Sequence, residues 1–373
     1  MSDSTRVGAF IACYFAAAAI GSAFLPLWFA DRGLSAAEIG QVLAVGSALR
    51  ILTVPGWGRA ADALGRRRPL LVAGALLAGV AAATLSATHG YLPILLVVLV
   101  QGTASAALTP LSDALALALA AAGRLDYGRT RAWGSVSYML ATAGGGYALA
   151  WAGTPGVPWL LAGLFAATAA AGVTLPEAEH PGRAATPDPG LLRLPAFRWT
   201  VLSSALIQGA HAAYYGFAAV HWRAAGLSDG TIGLLIAEGI IAEVALFIWG
   251  RPLVQRLGSA RLTALAAAIS ILRWTLTAFV TSAPALALIQ PLHAGTFAFQ
   301  HLSSMRMLSR TVPARQAGTA QALHAALGFS VPTGVLSWVS GQVYGVAGGS
   351  VFLLMAAVGG AGLLVASRLR DIR

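Results

Sequence analysis

Long apolar runs separated by short polar turns dominate the pattern along the chain. An α-helix needs about 20 apolar residues to cross the hydrocarbon core of a membrane. Twelve runs of this kind can be placed, which predicts an all-α membrane protein with twelve transmembrane helices. The predicted spans are Gly8–Ala30, Ile39–Trp57, Pro69–Thr88, Tyr91–Ala118, Ala132–Ala152, Trp159–Leu175, Thr200–Trp222, Ile232–Arg251, Leu262–Thr281, Ala285–Leu308, Gly318–Gly341 and Ser350–Ser367.

Composition agrees with this pattern and excludes several classes of protein. Of the 373 residues, 57% are hydrophobic and 10% are charged, whereas a soluble domain carries about 25% charged residues. The single Cys13 lies inside the first run, which excludes disulfides and cysteine-based zinc sites. The net charge of +11 comes from arginines in the turns, so we predict a lipid bilayer and no nucleic acid as partner.

Basic residues also predict the orientation, because loops on the cytoplasmic side of a membrane are enriched in arginine and lysine. With the N-terminus inside, the outer segments contain only Arg32 and Arg223, and the inner segments collect most of the other arginines. We therefore predict a multi-pass protein of a bacterial inner membrane with both termini in the cytoplasm. Nothing in the sequence calls for an oligomer, and we expect a monomer.

An internal repeat divides the predicted helices into two halves. Short motifs recur at a fixed offset of 193 residues, which carries span 1 onto span 7 and span 2 onto span 8. The matching pairs are Gly33-Leu34-Ser35 with Gly226-Leu227-Ser228, Ile39-Gly40 with Ile232-Gly233, and Leu64-Gly65 with Leu257-Gly258. Since six spans intervene, the halves share one orientation. This predicts two six-helix bundles, 1–176 and 199–373, related by a parallel repeat and joined by a cytoplasmic linker, 177–198.

Ionisable side chains inside the spans are the candidate functional residues, because each costs roughly 2.5–3.5 kcal/mol to insert and calls for a partner or a water-filled cavity. The acids and bases nearly balance, which suggests pairing around a central cavity. Prolines within spans are expected to bend or break helices there. The ionisable residues are Arg50, Asp113, Glu238, Glu243, Arg273, His211, His293, His301 and His324, and the prolines are Pro26, Pro55, Pro110, Pro291 and Pro332.

The arginine-rich segment Gly58–Arg68, GRAADALGRRR, lies between spans 2 and 3. Its pattern G-x3-D-x2-G-R-R resembles the signature loop of the major facilitator superfamily, although a generic positive loop is the simpler alternative. The resemblance implies the fold of that superfamily and a gating role for Gly58, Asp62, Gly65, Arg66 and Arg67. Asp62 is then expected to pair with arginines at neighbouring helix ends when the cytoplasmic side is closed.

Spans 4 and 5 resemble the lactose permease branch, the oligosaccharide:proton symporters. In that branch an acid after P-x-x and an arginine 18 residues later bind the sugar, above a stacking aromatic residue. Asp113, Arg131 and Tyr138 stand at the matching positions, which implies a role in substrate binding. A purely structural ion pair between the two spans is the alternative.

In the second half, Arg273 and His293 match the arginine and histidine of the same branch's proton relay. The acid expected three residues after the histidine is Thr296 here, so either Glu243 or Glu238 is expected to carry the proton, or coupling differs from the sugar branch. The surroundings resemble the phenylpropionate permeases, through segments that contain His211, Tyr214, Tyr215 and Phe297. His301 and His324 more simply form hydrogen bonds between helices. A metal site at His293 and His301 lacks a carboxylate, and we predict none.

These residues lead to a hypothesis for function: a secondary transporter, not an enzyme, that couples a small organic solute to protons and needs no other cofactor. The solute is expected to be a monocarboxylate, aromatic ones such as 3-phenylpropionate included. Arg131 and Arg273 would hold the carboxylate by bidentate hydrogen bonds, and the aromatic side chains would line the rest. Glu243 would take up the proton, polarised by His293, with Glu238 and Asp113 as other candidate proton sites.

Other functions stay open at this point. A sugar or nucleoside:proton symporter is disfavoured by Thr296 but shares the fold. A drug:proton antiporter usually has a glycine and proline pattern in span 5, which Gly134–Gly146 reproduces only in part, since Pro155 comes too late. An intramembrane enzyme or a receptor is less favoured still, because none of the predicted spans contains a G-x-S-x-G or H-E-x-x-H motif.

Overall fold

The computed structural model describes residues 1–177, 189–313 and 316–369, and these residues are almost entirely helical. Each predicted span coincides with one helix or with two helices in succession. The helices are α1 Asp3–Asp31, α2 Ala36–Leu64, α3 Arg68–Leu85, α4 Tyr91–Ser105, α5 Leu108–Ala121, α6 Tyr127–Ala152, α7 Gly156–Val173, α8 Pro195–Ile207, α9 Ala219–Ala224, α10 Asp229–Trp249, α11 Arg251–Phe279, α12 Ala283–Ile289, α13 Leu292–Thr311, α14 Ala317–Ala325, α15 Val331–Ala347, α16 Val351–Gly360 and α17 Gly362–Leu369.

Eight helical stretches within the described residues are long and apolar enough to cross a membrane. Their outer surface is apolar: large side chains such as Trp151, Val346 and Leu288 are more than four-fifths exposed. A protein surrounded by water rarely presents many such side chains together, whereas lipid tails accept them. The membrane class is therefore established, and the count of twelve crossings stays a prediction.

Local sequence explains where several helices begin. Ser35 and Glu38 form a reciprocal capping box at the start of α2, in which Ser35 N–H donates to Glu38 Oε2 at 2.8 Å and Glu38 N–H donates to Ser35 Oγ at 3.3 Å. Asp126 caps α6 by accepting a hydrogen bond from Arg129 N–H at 2.7 Å. These polar caps place the helix starts at the ends of the apolar runs.

The repeat extends to backbone conformation. Gly33 and Gly226 both have a positive φ, of 82° and 93°, and Gly65 and Gly258 likewise, of 61° and 73°. Each pair is separated by the repeat offset, and only glycine adopts such φ values without strain. At Gly258 the helical path of α11 is interrupted, and it resumes at Ser259.

Two units emerge from the packing. The first comprises Met1–Leu34, Ala48–Arg183 and Ser228–Leu234, and the second comprises Ser35–Ser47, Ala184–Leu227 and Leu235–Arg373, ranges that include residues outside the described ones. In the first unit α1 packs on α6 and α7, and α3 packs on α7. In the second unit α11 packs on α13 and α16. The predicted bundle limits, 1–176 and 199–373, stay a prediction.

Each unit contains a close crossing between two glycine-bearing helices. In the second unit, a Cβ built on Gly40 of α2 would lie 2.6 Å from Ser337 O and 2.8 Å from the Cα of Gly341 on α15. In the first, a Cβ on Gly146 of α6 would lie 2.5 Å from Asp229 O and 3.0 Å from the Cα of Gly233. Gly40 and Gly233 are repeat mates, so both halves use the same device for close packing.

One sequence prediction needs correction here. The segment Gly58–Arg68 is not a loop, because α2 continues to Leu64 and only Gly65-Arg66-Arg67 connect it to α3. Within the predicted linker 177–198, Pro189–Arg193 forms a 3₁₀ turn and α8 begins at Pro195. Residues 178–188 of the linker lie outside the described residues. Apolar periodicity missed the end of α2 because this end contains the charged residues Arg59 and Asp62.

Candidate functional site

The predicted seventh span is broken in the middle, next to the candidate residues. After α8 the chain forms a 3₁₀ turn, Gly209–His211, and a π-helical turn, Tyr214–Ala218, before α9. Such irregular turns inside long helices are common at functional sites. They bring His211 and Tyr214 into the interior of the second unit, where both side chains are buried.

Arg273 of α11 is the centre of this interior and is fully buried. Its Nη1 lies 3.0 Å from His293 Nδ1 on α13, and the Nε2 of the same histidine lies 3.1 Å from Glu243 Oε2 on α10. A guanidinium can only donate hydrogen bonds, so His293 Nδ1 accepts and its ring proton is on Nε2. His293 therefore donates to Glu243 and connects the buried cation to the carboxylate.

A second branch leaves Arg273 through Thr296. Nη1 donates to Thr296 Oγ1 at 3.1 Å, and that hydroxyl lies 3.0 Å from His211 Nε2. His211 Nδ1 faces the carbonyl oxygens of Ile207 and Gln208, each at 3.1 Å, and must donate to them. In the neutral ring Nε2 is then an acceptor. Thr296 Oγ1 also lies 3.1 Å from His293 O, so its one proton is shared between two acceptors.

Aromatic rings surround the guanidinium. Arg273 Cζ lies 4.7 Å from the ring centroid of Tyr214 and 4.2 Å from that of Trp274, distances typical of cation–π contacts. The Tyr214 hydroxyl donates to Gln290 Oε1 at 2.9 Å. Phe297 stacks on the ring of His293 with centroids 5.6 Å apart. The cation is thus held in an apolar, aromatic frame.

Two nitrogen atoms of Arg273, Nε and Nη2, are buried and have no hydrogen-bond partner among the described residues. These two N–H groups point along one edge of the guanidinium, the edge that pairs with both oxygens of a carboxylate. Unsatisfied donors on a buried cation are costly. The arrangement is therefore chemically suited to accept a small anion.

The first unit has a smaller charged cluster. Asp113 Oδ1 on α5 lies 3.5 Å from Arg131 Nε on α6, and both side chains are about one-quarter to one-third exposed. Arg131 Cζ lies 4.2 Å above the ring of Phe15 on α1. The Tyr138 hydroxyl contacts Ser22 Oγ of the same helix α1. Asp113 and Arg131 thus lie within ion-pair distance, and Tyr138 lies about two helical turns further along α6.

The signature segment is distributed over a helix end and a short connection. Gly58 and Asp62 lie on α2, and Gly65 turns the chain with a φ of 61°. Arg67 is buried, with 8% of its surface exposed, whereas Arg66 is exposed. Arg68 forms an ion pair with Glu177 at 3.3 Å. The gating role of these residues stays a prediction.

Most of the residues predicted for the second half come together: Arg273, His293, Glu243, His211, Tyr214 and Phe297, and Tyr215 stacks on His211 at 5.9 Å. Glu238 is not part of this network; it lies more than one turn before Glu243 on α10, with no hydrogen bond or ion pair to a described residue.

Sequence reasoning missed the neutral partners Trp274 and Gln290, and in the first unit it missed Phe15 and Ser22. Thr296 was noted only as a missing acid.

A separate polar network joins helices on one side of the second unit. His324 Nε2 lies 2.8 Å from Ser204 Oγ, and Gln300 donates to Ser203, Ser204 and Ser304 at 2.9–3.1 Å. All of these side chains are buried. His324 therefore forms a hydrogen bond between helices, as the simpler interpretation had it. His301 stacks on Phe297 with a centroid distance of 6.3 Å.

Comparisons with known proteins agree with this architecture. The chain matches the MFS_1-like family over residues 5–354. It is 30% identical over 361 residues to a probable 3-phenylpropionic acid transporter of Escherichia coli (strain K12), covering 92% of each chain. It is 28% identical over 310 residues to a maltose permease of Geobacillus stearothermophilus, covering 80% of this chain and 76% of the relative.

Solved structures give the same fold at lower identity. The nucleoside transporter NupG superposes with a TM-score of 0.85 at 16% identity, covering all of both chains. A D-xylose-proton symporter superposes with a TM-score of 0.73 at 17% identity, covering 99% of this chain and 96% of the other. With the helical units and the family match together, the chain is a transporter of the major facilitator superfamily and belongs to its MFS_1-like family.

Proposed function

We propose that this transporter carries a small organic monocarboxylate together with a proton, as a symporter. The observation that carries the proposal is the free edge of the fully buried Arg273, where Nε and Nη2 have no described partner. A planar carboxylate would satisfy both donors at once with two charge-assisted hydrogen bonds. A neutral solute would place no negative charge beside these two donors of Arg273.

Charge balance couples the anion to a proton. In the unloaded state Glu243 compensates Arg273 through His293, so the pair is neutral as a whole. A carboxylate at Arg273 would add a second negative charge to a buried site, which is costly. Protonation of Glu243 removes one negative charge and leaves Arg273 available for the anion. The loaded site, with one proton and one carboxylate, is neutral again.

His293 links the two events physically. Its Nδ1 accepts from Arg273 and its Nε2–H donates to Glu243, so a change at either end alters the hydrogen bond at the other. When Glu243 is protonated it no longer needs the Nε2–H bond, and the restraint on Arg273 weakens. Loss of the proton restores the original pairing and favours release of the carboxylate.

The aromatic frame supports a solute with an apolar body. Tyr214, Tyr215, Trp274 and Phe297 surround the network, and offset or edge-to-face contacts would favour an aromatic ring. The relative at 30% identity is named as a probable 3-phenylpropionic acid transporter. That acid combines a carboxylate with an aromatic ring. We therefore infer an arylalkanoate such as 3-phenylpropionate as the solute class.

The first unit would contribute through Asp113, Arg131 and Tyr138. Their ion pair and hydroxyl group are only partly buried, which suits polar contacts that form and break during transport. We further infer that Gly58, Asp62, Gly65, Arg66 and Arg67 form a gate at the cytoplasmic side, with bilayer lipid around them. These roles rest on the family resemblance together with the positions of the residues.

The test is proton movement with the purified protein in liposomes. On addition of 3-phenylpropionate, the wild type should take up protons with the solute, and Glu243→Gln should abolish that signal. Arg273→Gln should abolish solute binding as well. Glu238→Gln is the matched comparison, because it removes the other predicted acid from the same helix but lies outside the network; it should retain coupled uptake.

Two results would count against the proposal. Coupled uptake that survives in Glu243→Gln and disappears in Asp113→Asn would move the proton site to the first unit. Phenylpropionate binding that is unchanged in Arg273→Gln would remove the anion site altogether.

A sugar or nucleoside:proton symporter is the second candidate, supported by the maltose permease relative. A neutral solute would hydrogen-bond to polar groups such as Gln290 and would leave the free edge of Arg273 unused. Competition decides between the two: maltose or a nucleoside that displaces labelled phenylpropionate at comparable concentrations would favour this alternative. A drug:proton antiporter would instead move protons out of the liposome lumen against the solute.

A further inference from the structure

A cavity of about 420 Å³ lies where α11 resumes after the interruption at Gly258. It belongs wholly to the second unit, on the side predicted to face the cytoplasm, and lies apart from the Arg273 network. Two exposed arginines line it: Arg261 in the first turn of the resumed helix and Arg310 near the end of α13. The cavity is therefore cationic on one side.

The backbone adds to this positive character. From Ser259 to Phe279 the helix runs for 21 residues, and the first N–H groups of a helix generally have no partner within it. Such a helix start attracts anions through these donors and through the helix dipole. The residues of this helix start, Ser259 to Arg261, line the cavity.

Ser259 provides an independent indication of a ligand. This side chain lines the cavity and is 8% exposed, yet its Oγ has no hydrogen-bond partner among the described residues. Buried hydroxyl groups without a partner are uncommon in folded proteins. An anion at the helix start would satisfy the hydroxyl together with the neighbouring N–H groups.

The internal repeat strengthens the argument. Arg68 is the repeat mate of Arg261, and in the first unit it pairs with Glu177 at 3.3 Å and donates to Leu175 O at 3.3 Å. No described acid lies within ion-pair distance of Arg261 or Arg310. The second unit has thus kept the cation at this position without a described internal acid to neutralise it.

The other side of the cavity is apolar. Met307 and Leu369 line it and belong to a buried cluster with Ala196, against which Trp199 packs. Tryptophan near a helix end is typical of the lipid headgroup region. A ligand that fits both sides has a negative group and an apolar body.

We propose that this cavity binds the phosphate group of an anionic phospholipid from the cytoplasmic leaflet. Arg261, Arg310, Ser259 and the start of the resumed helix hold the phosphate, and the glycerol and first acyl carbons lie against Met307 and Leu369. Anionic lipids are enriched on that side of the membrane and attract basic segments near its surface.

The experiment is lipid titration of the full chain, purified in detergent and observed by native mass spectrometry. Short-chain phosphatidylglycerol is compared with phosphatidylcholine of equal chain length. We expect phosphatidylglycerol to bind more tightly, and the double variant Arg261→Gln/Arg310→Gln to bind it about 10-fold or more weakly. Ser259→Ala should weaken binding to a smaller extent. Arg193→Gln/Arg256→Gln is the matched control, since it loses the same charge outside the cavity and should bind as the wild type does.

Several outcomes separate the possibilities. Equal binding of the two lipids, or equal loss in both double variants, would overturn the proposal. Inorganic phosphate that displaces phosphatidylglycerol at low concentration would support the phosphate site and overturn the lipid as its source. Melting temperatures without added lipid show whether each variant is folded. If the double variant is not folded, the milder Ser259→Ala variant still tests the proposal.

Discussion

A buried guanidinium can only donate hydrogen bonds, and Arg273 orders its neighbours accordingly. Because its Nη1 donates to both His293 and Thr296, each of these must accept, and the proton position on His293 follows. Arg273 thereby determines that His293 donates to Glu243, whereas the carbonyl oxygens of Ile207 and Gln208 determine that Nε2 of neutral His211 is an acceptor. Replacing Arg273 by lysine would lose the free edge along with this order.

Thr296 allows a direct test of the second branch. In Thr296→Val the shape is kept, but Arg273 loses an acceptor and the buried His211 Nε2 loses the hydroxyl group that faces it. Leaving such a group unsatisfied costs about 1–3 kcal/mol. We expect a lower melting temperature in detergent and weaker phenylpropionate binding than in the wild type.

The control for this prediction is Thr277→Val on α11. Thr277 is equally buried, but its hydroxyl bonds only to Arg273 O within the same helix. Its loss should affect stability much less. If the two variants behave alike, the Thr296–His211 hydrogen bond has no special role.

Among single residues, the sequence identified those that are costly to place in a membrane because they are charged or titratable. Glu243, Arg273 and His293 stand out because charged or titratable groups are rare in apolar spans. Gln290, Ser22 and Trp274 carry no such mark, since neutral polar and aromatic side chains occur throughout membrane helices. Which of the two acids on α10 meets His293 also depends on three-dimensional packing, and only the structure places Glu243 there.

The positions of proline predicted some of the interruptions in the helices but not all of them. The breaks between α4 and α5 and between α12 and α13 lie close to Pro110 and Pro291, and a π-helical turn ends just before Pro332. Pro26 and Pro55 lie inside the continuous helices α1 and α2, where the missing N–H bond is tolerated. The irregular turns at Gly209–His211 and Tyr214–Ala218 contain no proline, so apolar periodicity and proline content could not reveal them.

The glycine crossing of α6 with α10 predicts opposite effects for two neighbouring substitutions. Gly146→Ala would place a Cβ 2.5 Å from Asp229 O and push the helices apart. Gly144→Ala meets nothing within 4 Å and gains about 1 kcal/mol of helix propensity. The melting temperature in detergent should fall for Gly146→Ala and stay level or rise for Gly144→Ala. Equal effects would mean that the two helices separate freely at this crossing.

For the molecule as a whole, charge balance predicts how transport is driven. One proton and one monocarboxylate enter together, so the loaded carrier moves no net charge. A membrane potential acts on net charge, by about 2.3 kcal/mol per charge per 100 mV. We therefore expect uptake of phenylpropionate into liposomes to follow an imposed pH gradient and to be insensitive to a potassium diffusion potential.

The control is the same pair of gradients applied to empty liposomes, because protonated aromatic acids cross lipid unaided. Uptake by the wild type that increases with an inside-negative potential at equal pH would indicate more than one proton per carboxylate. That result would contradict the neutral pairing of Arg273 and Glu243.

For the molecule as a whole, the internal repeat was the most informative feature of the sequence. Short motifs recur at its fixed offset, and the structure shows that residues at the same offset also share backbone conformation and packing. Gly65 and Gly258 both have a positive φ, and Gly40 and Gly233 both lie at close helix crossings. The spans could be predicted because a segment that crosses a membrane as a helix must be apolar whichever helices it packs against. Which helices pack together depends on side-chain shape, and a hydropathy pattern contains no information about shape.

The close crossings also limit how the protein can evolve. At Gly40 and Gly146 an added Cβ would meet a backbone carbonyl oxygen, of Ser337 and of Asp229, and not a side chain that could be trimmed. No substitution on the opposing helix can make room, because its glycine is already as small as a residue can be. Second-site suppressors across these crossings should therefore be absent from a library screen. Among relatives, the paired glycines should be invariant without covarying.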